Sequence, residues 1–235
     1  MKLRKLTIFT FTIACLTMSV LSFAQDEMRQ LSNEALPDTE PADFNSKVSY
    51  RHKLELSFET GYLPYNIPFI FSKLTESAWD RVPFDYTLVP FILSLRWHLY
   101  DVRGPWFLRG NTDLTFSGTY TYMPQGPESL FAGFITGVRY NFVQPNWRVA
   151  PYLEGRCGLG YTDSKGRDGV LYAQGQDFTY TFMLGTGVRY NFNPRYSASA
   201  GISYMHISNL YLSEPKVYNY GINVVGPTIG VNVGF

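Results

Sequence analysis

Disulfide chemistry, charge of one sign and helical periodicity are all missing from this chain. It holds 2 cysteines in 235 residues. One of them, Cys15, lies in a segment expected to be removed, so Cys157 has no partner for an internal disulfide. Lys and Arg total 20 against 19 Asp and Glu, without the basic excess that nucleic-acid binding needs. Beyond the first residues no apolar run approaches the roughly 20 residues of a membrane-spanning helix. No useful length of chain repeats apolar residues every 3.6 positions either. Aromatic residues, by contrast, are abundant: 18 Tyr, 18 Phe and 4 Trp make up 17% of the chain, equal to the charged fraction. Such a content excludes a disordered chain. Twenty Gly and 14 Pro supply many turns.

Residues 1–24 read as a secretory signal peptide. Lys2, Arg4 and Lys5 form its basic start, Leu6 to Phe23 are mostly apolar, and Ser22 and Ala24 make a small-x-small cleavage site before Gln25. A retained single-span anchor fits this pattern less well, and Thr12 stands where a lipoprotein box around Cys15 would want Leu. Without Lys2, Arg4 and Lys5 the mature chain has 17 basic and 19 acidic residues. Residues 25–47 are acidic and Pro-containing, and are expected to form a periplasmic tail with at most one helical turn near 28–36. The folded body is expected over 48–235.

Within that body apolar and polar residues alternate with a period of two, the signature of strands with two unlike faces. Eight segments show it: 52–62, 88–100, 106–122, 131–142, 149–161, 178–192, 196–210 and 221–235. In the second, Val89, Phe91, Leu93, Leu95, Trp97 and Leu99 take one face and Ser94, Arg96 and His98 the other. Each segment matches the 9–11 or so residues of a tilted membrane strand. Turns at 101–105, 143–148 and 193–195 are short, whereas connections at 63–87, 123–130, 162–177 and 211–220 are longer. Short turns at one end, longer loops at the other and a terminal Phe235 predict an all-β fold, an eight-stranded antiparallel transmembrane β-barrel in a bacterial outer membrane. A backbone in lipid must satisfy its own hydrogen bonds, so the sheet must close. Glu55, Glu59, Arg96, Arg109, Asp113, Arg139, Glu154, Arg156 and Arg189 then point into a lumen that side chains fill. A soluble barrel would reverse this arrangement, with charges outside and apolar residues inside.

Three polar residues break the apolar face. In the penultimate strand the outward set continues from Ile202 through Tyr204 to His206 and Ser208, and Asn223 joins it from the last strand. A bulge near Pro227 would turn Asn223 inward. His206 lies about 25 Å along the membrane normal from the start of its strand, near the outer-leaflet interface. Residues i and i+2 on one strand face sit about 6.6 Å apart, so an imidazole can reach the serine oxygen. A His base, a Ser nucleophile and a third group that fixes the imidazole are the parts of an ester hydrolase. Interfacial decoration is the competing account of the same residues.

The run HISN at 206–209, with GIN at 221–223 in the last strand of a small barrel ending in Phe, resembles the lipid A 3-O-deacylase family. That resemblance implies an eight-stranded outer-membrane barrel that removes the ester-linked acyl chain at position 3 of lipid A. It implies His206 as base, Ser208 as nucleophile and Asn209 as a contributor to the oxyanion hole, with no metal or other cofactor. The family pattern continues Ala-Gly, where this chain has Leu210 and Tyr211, and an acidic triad member stands where Asn223 is found. Asn223 is the expected orienting residue, and Glu214 is an alternative acid. Outer-membrane phospholipase A is similar in pairing His-x-Ser with Asn, which leaves a phospholipase-like acyl hydrolase as one alternative and a structural or binding barrel as another. The expected partner is lipid A or lipopolysaccharide in the outer leaflet. No nucleic acid is expected, and the sequence sets no oligomeric state.

Overall fold

The computed structural model describes residues 43–70, 84–165, 174–213, 216, 219 and 221–235. The expected signal peptide, most of the expected tail with its turn near 28–36, and Glu214 lie outside the described residues. Residues Ala42–Phe235 form one compact unit. It consists of a short helix α1 (Phe44–Val48) and the strands β1 (Leu54–Gly61), β2 (Tyr65–Asn66), β3 (Thr87–His98), β4 (Gly110–Gln125), β5 (Leu130–Phe142), β6 (Val149–Thr162), β7 (Phe178–Asn191), β8 (Tyr196–Ser208) and β9 (Ile222–Gly234). Neighbours in sequence pair antiparallel around the wall, and β1 pairs with both β3 and β9. Among the described residues the result is a closed eight-stranded barrel, as the alternation predicts.

The two-residue β2 is the continuation of β1 beyond an irregularity. Gly61 pairs with Thr228 and Tyr65 with Val225, so three residues of the first strand oppose two of β9. This is a one-residue bulge. Pro227 has no N–H to offer a partner, and its carbonyl accepts from the Tyr62 N–H at 3.0 Å. Gly226 is required here, because a Cβ on it would sit 2.1 Å from the Tyr62 carbonyl oxygen. The irregularity expected at Pro227 therefore falls on the first strand, and the β8–β9 register passes it unbroken.

Other boundaries also differ from expectation. Trp106–Leu108 form a 3-10 turn and not the start of the third segment, whose strand β4 begins at Gly110 and runs on to Gln125. Alternation alone does not see Gly104, whose φ is 104°, and Pro105 turning the chain. The connection to β5 shrinks to residues 126–129, so loop asymmetry is weaker than the sequence suggests. Residues 43–47, expected in the tail, dock instead on the short-turn end. Asp43 caps α1, accepts from the Asn146 N–H at 2.7 Å and pairs with Arg109 at 2.9 Å. Arg109 thus sits at the mouth and not deep in the lumen.

The faces sort as the pattern requires. Leu93, Leu95 and Trp97 are exposed on the outside, while Ser94, Arg96 and His98 between them are buried. Inside, Glu59 accepts from Arg96, Arg139 and Arg156 at 2.6, 2.7 and 2.5 Å, and Glu154 accepts from Arg139 and Arg156 at 2.6 and 2.7 Å. Nearer the short turns Glu55 binds Arg189 at 2.6 Å and Lys53 at 2.8 Å. Buried charges at this density are tolerable only when paired. Toward the long loops the filling changes character: Leu63, Leu88, Met123, Phe131, Met205, Ile207, Ile222 and Val224 form an apolar plug.

Candidate active site

The β8–β9 register brings the three outlying polar residues together. His206 pairs directly with Asn223, and Ser208 follows two residues on along the same face. Met205, Ile207, Ile222 and Val224 point into the barrel core, so alternation sends the other set outward. His206 Nδ1 lies 2.8 Å from Asn223 Oδ1, and His206 Nε2 lies 3.0 Å from Ser208 Oγ. With Asn223 presenting its oxygen, Nδ1 carries the imidazole proton and Nε2 accepts from the serine hydroxyl. A hydrogen-bonded base, nucleophile and orienting group is the geometric minimum for acyl transfer.

This outer face is not bare. His206, Ser208 and Asn223 are 8%, 3% and 2% exposed. The extension of the first strand reaches His206 and Asn223. Ile67 N–H donates to the Asn223 carbonyl at 3.1 Å, and the Phe69 ring packs on the imidazole at 4.5 Å between centroids. The bulge at 62–64 redirects the strand so that this arm reaches the site.

Asn209 stands next to Ser208 but faces elsewhere. Its amide donates to the Gln174 carbonyl and to Ser213 Oγ at 2.8 Å. Gln174 in turn donates its N–H to Glu128 at 3.2 Å, and Tyr86 donates to the other Glu128 oxygen at 2.5 Å. Asn209 thus ties the end of β8 to the loops, and its side-chain donors are engaged there. Leu210 and Tyr211 follow with φ of 52° and 65°. In this left-handed region a non-glycine residue costs roughly 1–2 kcal/mol. The resemblance expects Gly at 211, and the backbone gives the reason.

Two residues of the site escaped the sequence. Tyr204 counts as wall by alternation, yet its hydroxyl donates to Asn223 Oδ1 at 2.7 Å. Its place two residues before His206 on one face was the available signal. Phe69 carried no signal, because nothing local shows where the arm returns. Cys157 is exposed on the outer wall. His98 is buried inside near Glu55, and His52 stacks on Trp97 at the rim. Among the described residues no group of three or more His, Cys, Asp or Glu is arranged to hold a metal ion.

The model of the lipid A 3-O-deacylase (PagL) family matches residues 90–232, more than half of the chain. Among solved structures, the outer membrane enzyme PagL is 17% identical, with a TM-score of 0.50 over 76% of this chain and 98% of that one. Neisserial surface protein A is 16% identical, with a TM-score of 0.45 over 78% and 97% of the two chains. The outer membrane protein OprG from Pseudomonas aeruginosa is 11% identical, with a TM-score of 0.36 over 80% and 98%. No curated protein matches. A closed antiparallel barrel with an apolar exterior, matched along most of its wall by this family model, belongs to the lipid A 3-O-deacylase family of bacterial outer-membrane β-barrels.

Proposed function

We propose that this protein is a serine esterase of the outer membrane that removes the ester-linked 3-O-acyl chain from lipid A. The observation that carries the reading is the continuous contact from Asn223 through His206 to Ser208 on the outer face of the wall. An outward site at the long-loop end faces the leaflet that holds lipid A when the signal peptide at 1–24 exports the chain and the short turns stay in the periplasm.

In this mechanism Ser208 Oγ attacks the ester carbonyl while His206 Nε2 takes its proton. The tetrahedral intermediate collapses, the bond to the sugar oxygen breaks, and His206 returns the proton to that oxygen. Water activated by the same imidazole then releases the fatty acid from Ser208. Asn223 keeps the imidazole oriented and stabilises its protonated form. For Asn209 to donate to the oxyanion, its amide must leave Gln174 and Ser213 as substrate enters. The arm carrying Phe69 must also move aside, since its ring packs on the imidazole of His206.

The test is expression of the full chain in a Gram-negative host, followed by mass spectrometry of its lipid A. One hydroxyacyl chain should be lost, and Ser208→Ala or His206→Asn should abolish the loss while the barrel still folds. An unchanged lipid A spectrum beside a folded wild-type barrel refutes the proposal. Fatty acid released from glycerophospholipid instead assigns the site to the phospholipase class.

A further inference from the structure

An amide in the orienting position poses a problem that a carboxylate does not. A carboxylate offers an acceptor from either oxygen. Asn223 offers one acceptor and one donor, and a half-turn exchanges them. With Nδ2 toward His206, the imidazole would have to accept at Nδ1 and carry its proton on Nε2. The nitrogen facing Ser208 would then be a donor, unable to take the serine proton.

The Ile222 backbone carbonyl also accepts from the His206 ring, but it does not touch the amide, and Tyr204 is placed to set the amide's direction. Its hydroxyl reaches Asn223 Oδ1 at 2.7 Å, the same oxygen that meets His206 Nδ1. Tyr204 alone is ambiguous, because a phenol can donate or accept. The Ile70 backbone N–H removes the ambiguity by donating to the phenol oxygen. A backbone N–H cannot reverse its role, so the hydroxyl hydrogen is directed at Asn223. Polarity then runs one way: Ile70 N–H to Tyr204, Tyr204 to Asn223 Oδ1, His206 Nδ1–H to the same oxygen, and Ser208 O–H to Nε2. Tyr204 is 6% exposed, so water does not compete freely for these contacts.

We infer that Tyr204 is a positioning residue that selects the amide orientation of Asn223, and through it the Nδ1–H form of His206 that can accept the Ser208 proton. The contacts from Tyr204 through Asn223 and His206 to Ser208 rest on their distances. Its catalytic consequence rests on the esterase reading above.

The experiment reads the tautomer directly and does not depend on turnover. Imidazole ¹⁵N shifts of His206 are recorded for the labelled full chain in detergent micelles, with His52→Gln and His98→Gln variants assigning the signals. The wild type should show one Nδ1–H tautomer. Tyr204→Phe should give a mixture, with Nε2–H rising to about half or more. Tyr204→Phe with Asn223→Asp should return to Nδ1–H, because a carboxylate has no wrong orientation. In lipid A deacylation, Tyr204→Phe should lower kcat about tenfold with KM held, and by under about threefold when Asn223→Asp is already present. A His206 that stays Nδ1–H in Tyr204→Phe overturns the inference, as does an equal kcat loss in both backgrounds. If the tautomer shifts as expected in a wild-type barrel that deacylates nothing, Tyr204 positions Asn223 and the esterase reading alone falls.

Discussion

The lumen network makes a sharp quantitative prediction at Glu59. Three guanidinium groups, Arg96, Arg139 and Arg156, converge on its two oxygens, and among the described residues only Glu154 shares the load. Three cations and two anions leave the cluster one positive charge in excess. Glu59→Gln keeps the shape and removes one anion, so three buried cations would face a single carboxylate. Breaking a buried ionic network from one side costs about 3–5 kcal/mol. With a urea dependence of about 2 kcal/mol per molar, the unfolding midpoint should fall by roughly 2 M. Urea titration in phospholipid vesicles reads this through Trp97, which sits exposed on the outer face of β3 and loses the bilayer on unfolding. Arg96 binds Glu59 and Asn232 but not Glu154, so Glu59→Gln with Arg96→Gln restores the original charge excess. The double variant should recover about 1–2 kcal/mol relative to Glu59→Gln, in the range of coupling measured between touching residues. A loss under about 1 kcal/mol in Glu59→Gln, or strict additivity in the double variant, refutes the argument that pairing is what makes this lumen tolerable.

Two further outcomes follow from the long-loop end. Phe69→Ala should expose the candidate site, lowering KM for lipid A several-fold with kcat little changed, since a covered site binds in proportion to its open fraction; a raised KM would mean that Phe69 holds substrate. Burial lifts the Glu128 carboxyl above the usual carboxylate range despite the Tyr86 hydroxyl and Gln174 N–H that donate to it. The fold therefore holds a proton that the unfolded chain releases. The stability this contributes is complete below the ordinary carboxylate pKa and is lost as pH rises through the raised value. Glu128→Gln, which mimics the protonated form, should match the wild type in thermal unfolding at acid pH and exceed it at neutral pH. A gap that fails to widen with pH would count against a retained proton.

The wall was legible because strand alternation is local. Leu93, Leu95 and Trp97 against Ser94, Arg96 and His98 declare two faces within a few residues. The outward placement of His206 and Ser208 came with that parity. Features that depend on distant chain did not. Trp106 and Leu108 keep the alternation while Pro105 and Gly104 turn the backbone out of the strand. Asn209 beside Ser208 reads as a donor for the site, but its partner Gln174 is 35 residues away along the chain. Asn223 depended on a register that Pro227 placed in question, and the bulge was taken up by the first strand. Tyr204 was visible as a phenol on the right face, but alternation ranks it by its ring, and its hydroxyl contact needs two strands and an arm in place.

That arm, the bulged extension of β1, has a consequence for when the site is covered. His206 and Ser208 come from β8, Asn223 from the terminal strand, and the covering Phe69 from beyond the first strand. The first and last strands meet only at the seam that zips the barrel shut. A chain still travelling as an open sheet can pair β8 with β9 and so bring Asn223, His206 and Ser208 together, but it has nothing over them. Closing the seam is what brings Phe69 onto the imidazole, so the wall seals and the candidate site is covered in one event.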